Sequence, residues 1–173
     1  PSYDEVEGIP CYQSLAHLPK VPQHVIFAIN DHRIEAALDE VVSIGIPACT
    51  IFSALIISDD STPNLKQRIA TKAQDAGLLV AGANGMGFYN VRDRVLAGGF
   101  DTRDHPYSGN VTLISQSGAG MSGIVDCERR IQFNFAVSSG YELTVSMEDY
   151  LDYALDLPET RVVGLFLETS RHP

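Results

Sequence analysis

Apolar residues along the chain follow a pattern of short buried strands alternating with amphipathic helices. In the first half, three apolar runs at 25–29, 48–55 and 78–81 predict strands, the first of them buried on both faces. Between these runs, apolar residues recur at helical spacing over 34–45 and 65–76. This strand–helix order predicts a parallel sheet with right-handed crossovers.

The second half of the chain repeats the alternation after a break in periodicity. Residues 92–109 carry Gly98, Gly99, Pro106 and mixed charges, which is typical of a linker. The predicted elements beyond it are strands at 111–114, 133–138 and 161–168 and helices at 121–130 and 147–155. We therefore predict two α/β units, residues 1–95 and 109–173, joined by a linker at 96–108. Both units are short, so the chain is expected to be a piece of a longer polypeptide.

Two helix starts can be predicted from capping residues. Thr62 is expected to cap the helix after the second strand, with Pro63 as its first residue. Ser146 is expected to cap the last helix, with Asp149 three residues later completing a capping pattern.

Composition narrows the classes of partner. Lysine and arginine number 12 against 22 acidic residues, a net charge of −10, and no basic run is present, which argues against DNA or RNA. The longest apolar stretch, 46–57, is short and interrupted by polar residues, so no membrane segment is predicted. Three widely spaced cysteines favour neither disulfides nor a metal site, which indicates a reducing, cytoplasmic compartment.

The segment Val111–Gly123 carries the strongest functional signal. An apolar strand run ends at Ser115-Gln116-Ser117-Gly118, and small residues then open a helix. The unpaired N–H groups and the positive dipole end of such a helix suit an anion, above all a phosphate. Ser115 and Ser117 can add hydroxyl donors, and Gly118 permits close backbone approach. A tight strand-to-helix connection that binds nothing explains the pattern equally well.

Two sharper motifs fit these residues poorly. Gly118, Gly120 and Gly123 match the letters of a dinucleotide-binding fingerprint, but three residues separate the strand from its first glycine and no acidic residue closes the next strand. A nucleophile elbow needs glycine two residues before the serine, where Ser115 precedes Ser117. Neither dinucleotide binding nor a hydrolase is predicted.

Four motifs, in order, resemble those of one known family. They lie at 1–12 (beginning Pro-Ser-Tyr-Asp-Glu-Val), 82–87 (Gly-Ala-Asn-Gly-Met-Gly), 109–118 (ending Ser-Gln-Ser-Gly) and 156–168 (beginning Asp-Leu-Pro-Glu-Thr-Arg). Together they are similar to the NDP-forming acyl-CoA synthetases, relatives of the succinyl-CoA synthetase α subunit. The resemblance implies a Rossmann-like CoA-binding domain that lacks its first strand–helix unit, followed by the N-terminal part of a flavodoxin-like ligase domain.

The resemblance also implies an activity. The family makes an acyl-CoA thioester from a carboxylic acid, CoA and ATP through an acyl phosphate and a phosphohistidine. ATP and Mg would bind outside this chain, in an ATP-grasp domain or subunit, and the catalytic histidine is expected beyond residue 173, so this piece alone should be inactive. A homo-oligomer is expected, while His172 is expected to be a solvated residue.

Site residues carry over from the family by position. Ser115, Ser117 and Gly118 would hold the phosphate, and Glu168 would orient the phosphohistidine. Glu168 is expected at the carboxyl end of a central parallel strand, at the same sheet edge as the Ser115–Gly118 turn. The CoA contacts would fall on residues at three predicted strand ends, namely Ile29, Asn30, Ser53 and Asn84.

Two other interpretations of the same domain pair stay open. One is a regulatory CoA-sensing module, as in fusions of this pair to an acetyltransferase. The other is a non-catalytic α/β interaction scaffold. A histidine in a small-residue turn downstream would favour the ligase.

Overall fold

The computed structural model describes residues 3–169, so His172 lies outside the described residues. Its strands are β1 (Glu5–Val6), β2 (Ile9–Pro10), β3 (Val25–Phe27), β4 (Ala48–Ile51), β5 (Leu79–Gly82), β6 (Gly87–Asn90), β7 (Val95–Gly98), β8 (Val111–Ser115), β9 (Phe133–Ser138) and β10 (Val162–Phe166). Its α-helices are α1 (Asp31–Ile44), α2 (Leu65–Asp75), α3 (Gly118–Cys127) and α4 (Met147–Asp156). Within these residues, β1 and β2 form a small hairpin, and the remaining strands form two separate sheets.

The first sheet has the strand order β3-β4-β5 and is parallel throughout, which confirms the predicted parallel sheet. Helices α1 and α2 pack on one face of it, where Ile34, Leu38 and Ile69 are fully buried. The expectation that β3 is buried on both faces is wrong for the described residues, because Ile26 is 46% exposed. Successive right-handed crossovers place both helices on the same face, and Ile26 lies on the other.

The start of α2 differs from the sequence prediction. Asn64, and not Thr62, caps the helix, so Pro63 precedes the helix instead of opening it. The side-chain oxygen of Asn64 accepts the N–H of Gln67 at 3.0 Å, and the Gln67 side chain accepts the N–H of Asn64 at 3.1 Å. This reciprocal box satisfies two helix-end donors. A cap at Thr62 would have Leu65 at the third helical position, where no side-chain acceptor could complete the box. The predicted cap at Ser146, with Asp149, is confirmed.

The second sheet has the order β10-β8-β9-β6-β7, in which β10, β8 and β9 are parallel. Helix α3 covers one face through Met121 and Val125, and α4 covers the other through Met147. The central strands β8 and β9 are therefore buried on both faces, in keeping with their continuous apolar runs.

An antiparallel hairpin, β6–β7, extends the second sheet by pairing with β9. Strand β7 occupies part of the segment that was expected to be irregular, and the chain enters the second sheet at Gly87. Its turn is held by Asn90, whose side-chain oxygen accepts the N–H of Asp93 at 3.0 Å. The domain boundaries at 95 and 109 stay predictions.

The loop between β9 and α4 joins the two sheets. The N–H of Tyr141 donates to the carbonyl of Ala83 at 2.7 Å, and that of Leu143 donates to Gly82 at 3.2 Å. Thr144 continues this contact, since its hydroxyl accepts the N–H of Val80 at 2.7 Å. The turn after β5 and the loop after β9 are thus fixed to each other by main-chain hydrogen bonds.

Candidate functional site

The parallel strands of the second sheet bring two predicted site elements to one edge. In the pairing of β8 with β10, Ser115 lies opposite Phe166, so the turn after β8 and Glu168 are at the same end of the sheet. This part of the prediction is confirmed. The expectation that Glu168 follows a central strand is wrong for the described residues, because β10 is the outer strand there.

The turn at Ser115–Gly118 is built as a helix start. Ser117 is the N-cap of α3, and its hydroxyl oxygen accepts the N–H of Gly120 at 3.2 Å. Ser115 is fully buried; its hydroxyl accepts the N–H of Ser117 at 3.1 Å and donates to the carbonyl of Ser117 at 2.7 Å. The hydroxyl of Ser115 therefore shapes the turn in this structure, and the first-turn N–H groups of α3 are the donors available to an anion.

Gly118 lies against a side chain from the other sheet's turn. A Cβ at this position would lie 2.5 Å from Cγ of Met86, which belongs to the turn after β5. The absence of a side chain at Gly118 therefore leaves room for the Met86 side chain in its present position.

Gln116 connects the Ser115–Gly118 turn to Glu168. Its side-chain oxygen accepts the N–H groups of Glu168 and Thr169, both at 2.8 Å. Its amide nitrogen donates to the carbonyl of Thr169 at 3.0 Å and to the carboxylate of Glu142 at 3.1 Å. The side chain of Glu168 itself is exposed at the sheet edge.

Two predicted CoA residues meet at the strand ends of the first sheet. The N–H of Asn84 donates to the carbonyl of Ser53 at 2.8 Å, so the segments after β4 and β5 are adjacent. Asn84 has φ +55° and an exposed side chain, as expected for a turn residue that faces outward.

The other two predicted CoA residues follow β3 and have structural contacts of their own. Ile29 packs against the core of the first sheet. Asn30 is the N-cap of α1, and its side-chain oxygen accepts the N–H of His32 at 3.0 Å.

A cavity of about 380 Å³ lies beside Gln116 and Glu168. Met147 and Leu151 of α4 form part of its apolar wall, and Glu142 lies at its polar side. A larger cavity, about 620 Å³, runs along the end of α2 and residues 142–149, away from the Ser115–Gly118 turn. A third, of about 350 Å³, contains His24, which stacks on Phe88; burial lowers the pKa of His24 below its usual value.

Comparison with known proteins decides the family. The family described as "CoA binding domain" matches residues 1–90, and the "Succinyl-CoA ligase like flavodoxin domain" matches residues 108–173. The chain belongs to the CoA-binding domain family. The resemblance to NDP-forming acyl-CoA synthetases and the predicted α/β fold are both confirmed.

Relatives of this chain are named as acid–CoA ligases. An ADP-forming acetate–CoA ligase of Methanocaldococcus jannaschii is 28% identical over 97% of the chain, and the chain covers 24% of that protein. A trans-feruloyl-CoA synthase from an unknown prokaryotic organism is 27% identical over 100% of the chain, with 25% of it covered. The chain thus spans about a quarter of the length of these relatives.

Solved structures show the same fold. The apo form of a dinucleotide-forming acetyl-coenzyme A synthetase of Ca. Korarchaeum cryptofilum superimposes with a TM-score of 0.84 at 24% identity, covering 97% of this chain and 36% of that one.

At the Ser53–Asn84 junction, one buried polar group has no partner in the part of the chain that the structure describes. The hydroxyl of Ser53 is buried and makes no hydrogen bond within residues 3–169. A buried hydroxyl without a partner costs free energy, and a bound ligand with a polar group would supply the missing bond. The role of each predicted site residue stays a prediction.

Sequence reasoning missed Gln116 and Glu142. The sequence placed Gln116 between two serines of interest and gave no reason to assign it a partner 52 residues away. The contact of Gln116 with Glu142 depends on the loop after β9 returning to the first sheet, which periodicity does not reveal.

Proposed function

We propose that this chain is the CoA-binding and phosphoryl-handling part of an NDP-forming acid–CoA ligase. The complete protein would make an acyl-CoA thioester from a carboxylic acid, CoA and ATP through an acyl phosphate and a phosphohistidine. The observation that carries the proposal is the Ser115–Gly118 turn at the start of α3. Its Gln116 is hydrogen-bonded to the segment that holds Glu168.

In the phosphoryl step, α3 would provide backbone donors and Glu168 a carboxylate. The N–H groups in the first turn of α3 point toward the N-terminal end of the helix, where the helix dipole favours negative charge. Ser117 fixes the start of the helix as its N-cap. Glu168 would accept one ring N–H of an imidazole from the complete protein and leave the other ring nitrogen facing the phosphate.

For CoA binding, the proposal uses the strand ends of the first sheet. Ser53 would donate its unsatisfied hydroxyl, and Asn84 would present its side-chain amide from an outward-facing turn. Ile29 and Asn30 would contribute the adjacent surface after β3. CoA supplies the thiol that carries the acyl group.

The remaining expectations concern the complete protein. ATP with Mg would bind to an ATP-grasp domain or subunit, the assembly would be a homo-oligomer, and the compartment would be the cytoplasm. None of the helices in residues 3–169 is long and apolar enough to cross a membrane.

The test is transfer of labelled phosphate from ATP to the complete protein. Glu168→Gln should slow phosphoenzyme formation with little change in CoA affinity. Glu128→Gln makes the same chemical change at the opposite end of α3, where Glu128 pairs with Arg130 on the surface, and should leave both readouts unchanged.

The outcomes separate the three interpretations. If the unchanged protein binds CoA but forms no phosphoenzyme, the CoA-sensing module is the better interpretation. If it neither binds CoA nor forms phosphoenzyme, the interaction scaffold is favoured.

A further inference from the structure

Every hydrogen-bonding position of the Gln116 side chain is used. A glutamine amide has two donors and an oxygen that accepts two bonds. The oxygen of Gln116 accepts from Glu168 and Thr169, and its nitrogen donates to Thr169 and Glu142, at distances from 2.8 to 3.1 Å. Gln116 is 6% exposed as a residue, so losing these bonds would leave its amide buried without partners.

The backbone of Gln116 reinforces the same attachment. Its N–H donates to the carbonyl of Phe166 at 3.0 Å, which continues the pairing of β8 with β10 by one residue. Residue 116 therefore holds Phe166, Glu168 and Thr169 at once. Within residues 3–169, β10 has a paired strand on one side only, so these bonds fix the direction in which the chain leaves the sheet.

Glu142 determines which way the Gln116 amide faces. One carboxylate oxygen of Glu142 accepts from the Gln116 amide at 3.1 Å and from the hydroxyl of Ser139 at 2.7 Å. A carboxylate in this place accepts from the amide nitrogen and repels the amide oxygen, so the oxygen is directed to the N–H groups that follow β10.

We propose that Gln116 is the positioning residue for Glu168, and that Glu142 fixes the orientation of its amide. The proposal rests on the proposed function, because it assigns Gln116 to the carboxylate that would orient the phosphohistidine. Gln116 touches the main chain of Glu168 and leaves its carboxylate exposed for an incoming group.

The same contacts join Glu168 to the turn after β5, which holds the predicted CoA residue Asn84. Glu142 lies in the loop whose Tyr141 and Leu143 N–H groups bind Ala83 and Gly82, directly before Asn84. A continuous series of contacts thus runs from the turn after β5 to Glu168. The position of the carboxylate depends on the packing of the two sheets through this loop.

The experiment measures phosphoenzyme formation and CoA affinity in the complete protein. Gln116→Ala should slow phosphoenzyme formation on the order of 10- to 100-fold, because small displacements of a catalytic group have effects of that size. CoA affinity should stay within about twofold, a change of less than roughly 0.5 kcal/mol. Gln132→Ala is the matched control, since Gln132 is an exposed glutamine of the same unit, and it should change neither readout.

An exchange of the two side chains tests the contact itself. Gln116→Glu keeps the shape and places two carboxylates against each other, so it should be as slow as Gln116→Ala. Adding Glu142→Gln returns a donor and an acceptor to the pair and should recover part of the rate. A purely structural role for Gln116 would instead lower thermal stability and impair both readouts together.

Each result has a defined consequence. If the unchanged protein forms phosphoenzyme and Glu168→Gln slows it, normal rates in Gln116→Ala and Gln116→Glu overturn the positioning role alone. If the unchanged protein forms no phosphoenzyme, the proposed function and this role are overturned together. Slow single variants with recovery in the exchanged pair support the role.

Discussion

The turns after β5 and after β8 both lie at the carboxyl ends of parallel strands, yet they offer different chemistry. The turn after β5 presents the exposed side chain of Asn84, in a left-handed conformation, beside the unsatisfied hydroxyl of Ser53. In the turn after β8, the serine hydroxyls are engaged with neighbouring main-chain groups, and α3 begins at once. The first turn therefore offers side chains, and the second offers backbone N–H groups.

This difference suggests a division of labour. A ligand with many different polar groups, such as CoA, is recognised by separately placed side chains, whereas a phosphate is held well by a helix start. The loop after β9 holds the two turns together, so changes in the loop should disturb both and changes in one turn should disturb only one function.

The largest effect is expected at Gly140, where the two regions join. Gly140 has φ +61°, and a Cβ there would collide with the carbonyl oxygen of Ala83. Gly140→Ala should lower the free energy of unfolding by about 2–4 kcal/mol, as measured by chemical denaturation.

Gly123→Ala is the control for that substitution. Gly123 lies in α3, and an added methyl group would meet nothing within 4 Å beyond the helix's own backbone, so alanine should raise stability by roughly 0.5–1 kcal/mol. Equal effects at Gly140 and Gly123 would show that the contact between the turns is not constrained as described.

A smaller effect is expected at Ser53. Ser53→Ala removes a buried hydroxyl without a partner in residues 3–169, so the free protein should be unchanged or more stable by up to about 1 kcal/mol. CoA affinity in the complete protein should fall roughly two- to tenfold, the effect of one lost hydrogen bond.

The control for Ser53 is Ser43→Ala, in which an exposed hydroxyl loses its bond to the carbonyl of Glu40 and CoA binding should not change. Destabilisation of the free protein by Ser53→Ala, with unaltered CoA affinity, would remove Ser53 from the ligand site.

The smallest expected effect is a pH dependence of stability that arises from His105. His105 is 4% exposed, and its Nε2 has no hydrogen-bond partner within residues 3–169. Burial is the main cause that lowers its pKa from 6.5, with a further contribution from Arg103, while Asp126 and Asp104 oppose the shift. Because the unfolded chain binds the proton more readily, stability should fall as pH drops below about 6.5.

Denaturation curves between about pH 7.5 and 5, the range in which histidine titrates, check this sign. His105→Phe should reduce the pH dependence, since Tyr89 and Phe133 already surround the ring with aromatic contacts. An unchanged pH profile in His105→Phe would show that protonation of other groups accounts for the loss.

Much of the fold could be predicted because its signals are local. Strand β9 has the predicted bounds, Phe133–Ser138, since a continuous run of strand-forming residues fixes both ends. The cap at Asn64 was missed because Thr62 and Pro63 form an equally good local signal two residues earlier. Hairpin β6–β7 was missed because its stability depends on pairing with β9, which is distant in the sequence.

The candidate site, like the fold, was predictable where its signal is local and not where it depends on distant contacts. A helix start after the first strand of the second unit follows from the local pattern, whereas Ser117 was expected as a hydroxyl donor and is the cap of α3. The internal bonding of Ser115 and the four contacts of Gln116 depend on how β10 and the loop after β9 are arranged in space.

The most direct test of this division compares Ser117→Ala with Asn84→Gly in the complete protein, measuring phosphoenzyme formation and CoA affinity for each. Glycine keeps the left-handed conformation at position 84 and removes only the side-chain amide. Ser117→Ala should slow phosphoenzyme formation roughly ten- to hundredfold with CoA affinity unchanged. Asn84→Gly should weaken CoA binding with the phosphorylation rate unchanged. Equal losses of both activities in both variants would contradict a division between the two turns.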